Sequence, residues 1–265
     1  MRAAVLGSPI GHSLSPALHR AAYTALGLAW TYDPIELLPA DLPAFLAGLD
    51  DQWAGLSLTM PLKQTVLPLL HEASELVRIT GAANTVVLTG SERRGHNTDV
   101  AGIVVALREA GLASPRRGAV LGAGATAASA LAALAELGCS QVCVYARSLE
   151  RAAGLRAVAE HLDLTLQIAV LTADLVDPGC DVVVNTTPAG ALDEVVSRAR
   201  PLEGSPMLLD VVYHPWPTPL AALFTGAGAT VVPGLAMLLH QAAAQVELMT
   251  GRPAPLAAMR AALTA

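Results

Sequence analysis

Gly118-Ala-Val-Leu-Gly122-Ala-Gly124-Ala-Thr-Ala127-Ala-Ser-Ala-Leu131, running on to Arg147, is the stretch around which the chain is arranged. Gly118 to Leu121 is a short apolar run with β character. It meets a Gly122-x-Gly124-x-x-Ala127 turn, after which Leu131, Leu134 and Leu137 recur at helical spacing until Gly138 stops them. Gln141 to Tyr145 reads as a second strand. A lone glycine pattern is a common turn. Strand, turn, helix and strand within about 30 residues make a dinucleotide fingerprint. Gly122 provides the tight turn and Gly124 lets backbone approach a pyrophosphate. Ala127 keeps helix and strand close, and the helix N-terminus offers amide donors and positive dipole.

The residues after the second strand select the dinucleotide. Sites for NAD carry an acid about 20 residues past the glycines, where it binds the ribose 2′-hydroxyl. Here the chain reads Tyr145-Ala146-Arg147-Ser148-Leu149-Glu150-Arg151, with no acid at the strand end. Arg147 can pair with a 2′-phosphate and stack on adenine, with Arg151 one helical turn on. Ser148 doubles as a helix N-cap. The expected cofactor is therefore NADP, bordered by Gly122, Ala123, Gly124, Ala125, Thr126, Arg147, Ser148 and Arg151.

Composition bounds the rest. At 265 residues the chain holds one large or two modest domains, and 53% hydrophobic against 14% charged residues is firmly globular. A net charge of −6 with no basic run argues against a nucleic-acid surface. Cys139, Cys143 and Cys180 have no metal-ligand spacing and suit a reducing cytoplasm, and no metal is expected. The opening, Met1 to Pro9, breaks too soon for a signal-peptide core. Two long uncharged runs resemble membrane spans. Glycines and alanines mark one as a βα unit, and Pro217, Pro219, Pro233 and Gly234 interrupt the other.

From the N-terminus, Arg2 to Leu6 reads as a strand, followed by a turn-rich loop and Ser13-Leu14-Ser15-Pro16. Ser15 before a first-turn proline predicts a helix N-cap, which leaves Ser13 unexplained. Trp30 to Ile35 predicts a strand and Leu42 to Leu49 a helix. Gly55 to Leu58 is a further strand, broken at Met60-Pro61 before Lys63. A lysine in a first turn opposes the helix dipole, although a surface role is the default. Glu72 to Ile79 predicts a helix ending at Gly81-Ala-Ala-Asn84-Thr85, and Val86 to Leu88 a strand. A turn at Gly90-Ser91 leads to Gly95-His96-Asn97-Thr98-Asp99, with Asp99 as N-cap of a helix from about Val100 to Ala110. Strand ends thus present Ser13, Ser15, Thr59, Lys63, Asn84 and Asp99, the edge where α/β sheets bind ligands.

At these residues the chain resembles the shikimate dehydrogenase family over nearly its whole length. Ser13 to Pro16 matches Ser-Leu-Ser-Pro, and Ser57-Leu-Thr59-Met-Pro61-Leu-Lys63 matches Asn-Val-Thr-x-Pro-x-Lys. Gly81 to Thr85, Asn97 to Asp99, Asp210 to Leu220 and Gly234 to Gln241 follow in the family's order. The resemblance implies NADPH-linked reduction of 3-dehydroshikimate to shikimate, on the route to aromatic amino acids. It makes Lys63 and Asp99 the catalytic pair. Ser13, Ser15, Thr59, Asn84, Tyr213 and Gln241 would hold the small-molecule substrate. Thr186, Val211, Gly234 and Met237 would join the residues bordering NADP. Tyr213, Gln241 and Met237 by themselves would read as structural.

Several positions depart from the family pattern, among them Ser57 for Asn, Ala125 for the second glycine of the pair, and Ala146 for the Asn before Arg147. The expected fold is α/β with two domains. Residues 1–101 with a helical return at 234–265 form the substrate domain, and 102–233 a doubly wound, Rossmann-type NADP domain. Domain closure over a cleft would exclude water. The partner expected is a small molecule, without nucleic acid or membrane, to a monomer or homodimer. Alternatives are a quinate/shikimate dehydrogenase using NAD, a Rossmann dehydrogenase with an amino-acid or folate substrate, and a non-catalytic NADP-binding sensor.

Overall fold

The computed structural model describes residues 1–263 and divides into two compact units, Met1–Gly102 with Leu238 onward, and Ile103–Met237. In the first unit β1 (Arg2–Gly7), α1 (Ser15–Ala25), β2 (Thr31–Glu36), α2 (Leu42–Ala47) and β3 (Trp53–Leu58) alternate. Next come α3 (Leu62–Thr65), β4 (Glu72–Ala73), α4 (Glu75–Thr80), β5 (Thr85–Thr89) and β6 (Glu92–His96). The division falls inside α5 (Asp99–Glu109). The second unit holds β7 (Arg117–Leu121), α6 (Ala125–Leu137), β8 (Gln141–Ala146), α7 (Leu149–Ala152), α8 (Leu155–His161) and β9 (Thr165–Val170). It continues through β10 (Val182–Asn185), α9 (Asp193–Ser197), β11 (Met207–Asp210), α10 (Pro219–Gly226) and β12 (Val231–Pro233). The chain returns to the first unit along α11 (Gly234–Thr250) and ends in α12 (Leu256–Ala261).

The first sheet runs β2-β1-β3-β5-β6-β4, with β1, β2 and β3 parallel and β5 antiparallel to both its neighbours. Alternation along β1 explains why both faces are covered, because successive side chains point to opposite sides. Ala3 and Val5 join Leu18 and Tyr23 of α1, Leu239 and Val246 of α11, and Met259 of α12. Ala4 and Leu6 instead meet Leu42, Leu46, Leu62 and Val77 on the other face.

The expected helix from Glu72 to Ile79 starts only at Glu75. Glu72 and Ala73 pair with β6, and Ser74 caps α4 by accepting the Val77 N–H. Residues 92–96, expected as an approach to the next helix, form the second arm of a hairpin with β5 across the Gly90 turn, where φ is +60°. Backbone pairing with β5 overrode a charged, weakly β-forming sequence, Glu92-Arg-Arg-Gly-His96.

The second sheet is parallel throughout, in the order β12-β11-β10-β7-β8-β9. This is the doubly wound order, reversing direction between β7 and β10, where such sheets bind ligands outside the carboxyl ends of their strands. Gly122 follows β7 and Thr186 follows β10, so both sit at that reversal. Among the described residues no helix is long and apolar enough to cross a membrane.

Candidate active site

Lys63 lies in α3, just beyond the end of β3, and Asp99 is the first residue of α5, just beyond β6. The Lys63 ammonium donates to Asp99 Oδ2, and the two side chains are 14% and 5% exposed. Asp99 was expected to cap its helix; its side-chain oxygens instead accept from Lys63 and from Asn84. The turn into α5 is held by Asn97, whose Oδ1 accepts the Asp99 N–H at 3.1 Å.

Asn84 precedes β5. Because β5 is antiparallel to β3 and β6, its start lies at the same sheet edge as their ends. The Thr98 N–H and the Thr85 hydroxyl donate to Asn84 Oδ1 at 2.8 and 2.9 Å. That fixes which way the amide faces, leaving Nδ2 to donate to Asp99 Oδ1 at 2.8 Å and towards Gln241 Oε1 at 3.3 Å. Gln241 is itself anchored through Nε2 to the Leu238 carbonyl at 2.9 Å. Lys63, Asp99, Asn84 and Gln241 are thus one connected buried polar group, drawn from four separate segments.

Ser13 and Ser15 follow β1 at the same edge. The proline-led helix begins at Ser15 itself, and no side chain caps it through Leu14. Ser15 is therefore not the cap expected of it, and Ser13 Oγ braces the turn into the helix by accepting the Ser15 N–H at 3.3 Å. Thr59 follows β3 directly, with its methyl directed at Gly7, where a Cβ would stand 2.3 Å from Thr59 Cγ2. His19 is fully buried and stacks on Tyr32 with ring centroids 3.9 Å apart. Its Nδ1 bonds the Ser15 carbonyl at 2.9 Å, and burial pulls its pKa down to about 4. His12 beside the serines is exposed.

In the second unit the glycine turn has the geometry a dinucleotide requires. Gly122 has φ +109°, and a Cβ there would lie 2.6 Å from Thr186 Oγ1. At Gly124, by contrast, a Cβ would meet nothing within 4 Å, so the space facing the start of α6 is open. No side chain caps α6. A helix N-terminus left uncapped beside open space suits a phosphate. Ala123, Ala125 and Thr126 flank the turn and are partly exposed. Arg147 and Arg151 are exposed, and among the described residues neither pairs with a carboxylate. Ser148 caps α7 by accepting the Arg151 N–H at 3.3 Å, as its position predicts. These residues fit a phosphorylated dinucleotide.

The remaining candidates of this unit are held by a scaffold. Thr186 donates its hydroxyl to the Leu121 carbonyl at 2.8 Å, tying the ends of β7 and β10 together. Buried Asp210 accepts from Asn185 Nδ2, the Val212 N–H and the Thr218 hydroxyl, which fixes the loop carrying Val211 and Tyr213. Gly234 lies against that loop, with Val211 O only 2.2 Å from where its Cβ would be. Met237 is buried. Of the substrate candidates, Tyr213 alone belongs to the second unit; the others lie in the first.

Sequence reading missed Gln245, Tyr32 and Thr98. Gln245 is 1% exposed and sits one turn beyond Gln241 on the mostly apolar α11. A polar pair at that spacing on an apolar helix was the available signal. Tyr32 reads as an ordinary strand aromatic, and nothing local distinguishes it.

Residues 5–86 match the family model described as the shikimate dehydrogenase substrate binding domain, and 234–264 the one described as the shikimate 5'-dehydrogenase C-terminal domain. The shikimate dehydrogenase (NADP(+)) of Thermosynechococcus vestitus is 37% identical, over 98% of this chain and 93% of its own length. The crystal structure of Mycobacterium tuberculosis shikimate dehydrogenase is 43% identical with a TM-score of 0.88, covering 99% of this chain and 98% of that one. The Thermus thermophilus shikimate 5-dehydrogenase, solved in complex with NADP(H) and shikimate, is 32% identical with a TM-score of 0.86, covering 100% and 98%. The chain belongs to the shikimate dehydrogenase family.

Proposed function

We propose that this chain catalyses the reversible NADPH-dependent reduction of 3-dehydroshikimate to shikimate, an oxidoreductase step acting on a CH–OH group in aromatic amino acid biosynthesis. The observation that carries the reading is the Lys63–Asp99 pair, nearly buried and aligned by Asn84. NADPH supplies the hydride that reaches the C3 carbonyl carbon. Lys63 as ammonium polarises the carbonyl oxygen and gives it a proton as the alkoxide forms. Asp99 keeps the ammonium in place by a charge-assisted bond, and the neutral amine left behind is the base of the reverse reaction. Ser13, Ser15, Thr59, Asn84, Tyr213 and Gln241 hold the substrate's carboxylate and hydroxyls.

Gly122 to Thr126 receive the pyrophosphate, and Arg147 and Arg151 the 2′-phosphate, with Ser148, Thr186, Val211, Gly234 and Met237 completing the cofactor border. Apart from Tyr213, Gly234 and Met237, residues 1–101 with 234–265 serve the substrate and 102–233 the cofactor. Free Cys139, Cys143 and Cys180 suit a reducing cytoplasm.

The test is absorbance at the nicotinamide band with shikimate or quinate, each with NADP⁺ or NAD⁺. Turnover with shikimate and NADP⁺ above every other pairing supports the reading, and no turnover with shikimate overturns it. The NAD-using quinate/shikimate alternative requires the reverse cofactor preference, against which the absence of an acid after Tyr145 stands.

A further inference from the structure

Ser57 occupies the position where the family pattern has Asn, so this chain lacks the carboxamide that β3 would otherwise supply. The site nevertheless contains one. Gln245, on α11, points its carboxamide at Ser57, whose hydroxyl donates to Gln245 Oε1 at 2.7 Å and accepts from the Tyr32 hydroxyl at 2.6 Å. Gln245 Nε2 donates to the Asn84 carbonyl at 3.1 Å and to Thr85 Oγ1 at 3.0 Å. Thr85 passes the arrangement on, since its hydroxyl donates to Asn84 Oδ1. Ser57 and Gln245 are 3% and 1% exposed, so water does not compete for these bonds.

We propose that Ser57 and Gln245 together replace the missing asparagine and act as positioning residues, fixing the backbone and amide of Asn84 and, through it, the carboxylate that holds Lys63. Each carboxamide atom of Gln245 has a task here. Its oxygen takes the Ser57 proton, which directs its two N–H groups towards residues 84 and 85. A hydroxyl sequence from Tyr32 through Ser57 sets the polarity of the relay, since Tyr32, with its pKa raised by burial, remains a donor. Gln245 bonds neither Lys63 nor Asp99 and reaches Asn84 only at its backbone carbonyl, so its effect is on alignment. Misplacement of a reacting group by about 1 Å is enough to lower turnover by about 10²-fold.

The proposal rests on the assignment of Lys63, Asp99 and Asn84 given above, and the experiment separates the two. Steady-state kinetics with shikimate and NADP⁺ are measured for K63A, Q245A, Q245M, S57A and the double variant S57N/Q245A, with thermal unfolding of each. Gln245→Met keeps the volume and removes the carboxamide, and it stands in should Gln245→Ala not fold. The expected result is a fall of about tenfold or more in kcat for the Gln245 variants, at a temperature where they are fully folded, and recovery of most of that loss in S57N/Q245A. Wild-type kcat in the folded Gln245 variants overturns the proposal, and so does a loss that S57N does not rescue. If K63A itself retains turnover, the assignment of the catalytic pair fails instead.

Discussion

Asn84 donates from Nδ2 to Asp99 Oδ1 at 2.8 Å, while the other oxygen of the same carboxylate takes the Lys63 ammonium. One carboxylate therefore holds the Lys63 ammonium on one side and is itself aimed from the other. Buried groups of this kind are costly unless every member is satisfied. Here the amide that steadies Asp99 is fixed by two further donors, the Thr98 N–H and the Thr85 hydroxyl.

Removing the ammonium should remove turnover rather than binding. For Lys63→Ala we expect kcat to fall by about 10²- to 10⁴-fold, the usual worth of a positioned acid–base group. Shikimate should still bind, measured by calorimetry, because the other polar groups remain. A kcat near that of the unaltered enzyme would show that Lys63 is not the proton donor.

The arginines after β8 should set cofactor choice. Each charge-assisted bond to a 2′-phosphate is worth about 1.5–3 kcal/mol. In Arg147→Ala/Arg151→Ala, KM for NADP⁺ is expected to rise by about tenfold or more while KM for NAD⁺ changes little. Parallel weakening of both cofactors would place the arginines elsewhere than at the 2′-phosphate.

His19 should make the fold acid-sensitive. Unfolded, its ring protonates near 6.5; folded, burial holds it neutral down to about 4. The unfolded chain thus binds the extra proton first, and stability present above pH 6.5 is lost as pH falls towards 4. The rings packed on it, Tyr23 and Tyr32, have pKa values raised by burial and stay neutral throughout that window. At 1.36 kcal/mol per pKa unit the loss is about 3 kcal/mol. Urea unfolding at a series of pH values should show a flatter profile for His19→Phe, which keeps the ring stack without the titration. Equal slopes for the two proteins would remove His19 as the cause.

Gly234 should tolerate no side chain. Its φ is unexceptional, but a Cβ would meet the Val211 carbonyl carbon and oxygen at 2.5 and 2.2 Å, and backbone there cannot rotate away. Gly234→Ala is expected to cost about 1–3 kcal/mol, as overpacking does, seen as a lower thermal midpoint. An unchanged midpoint would mean that the Val211 loop moves freely.

The sequence alone determined the glycine turn, its helix and flanking strands, and the arginines that follow, because local propensity and spacing decide such features over about 30 residues. It also presented Ser13, Thr59, Lys63, Asn84 and Asp99 at the ends of predicted elements. It did not reveal β6, whose polar residues form a strand only because β5 offers an edge to pair with. It also assigned the capping role to Ser15 where Ser13 braces the turn, since both stand within one turn of Pro16 and only the backbone path chooses. Least legible was Gln245. Its partner Ser57 is 188 residues away, and bonds across that separation exist only once β3 and α11 are packed together. Burial then decides the matter, since a carboxamide denied water must bond to whatever the fold places beside it.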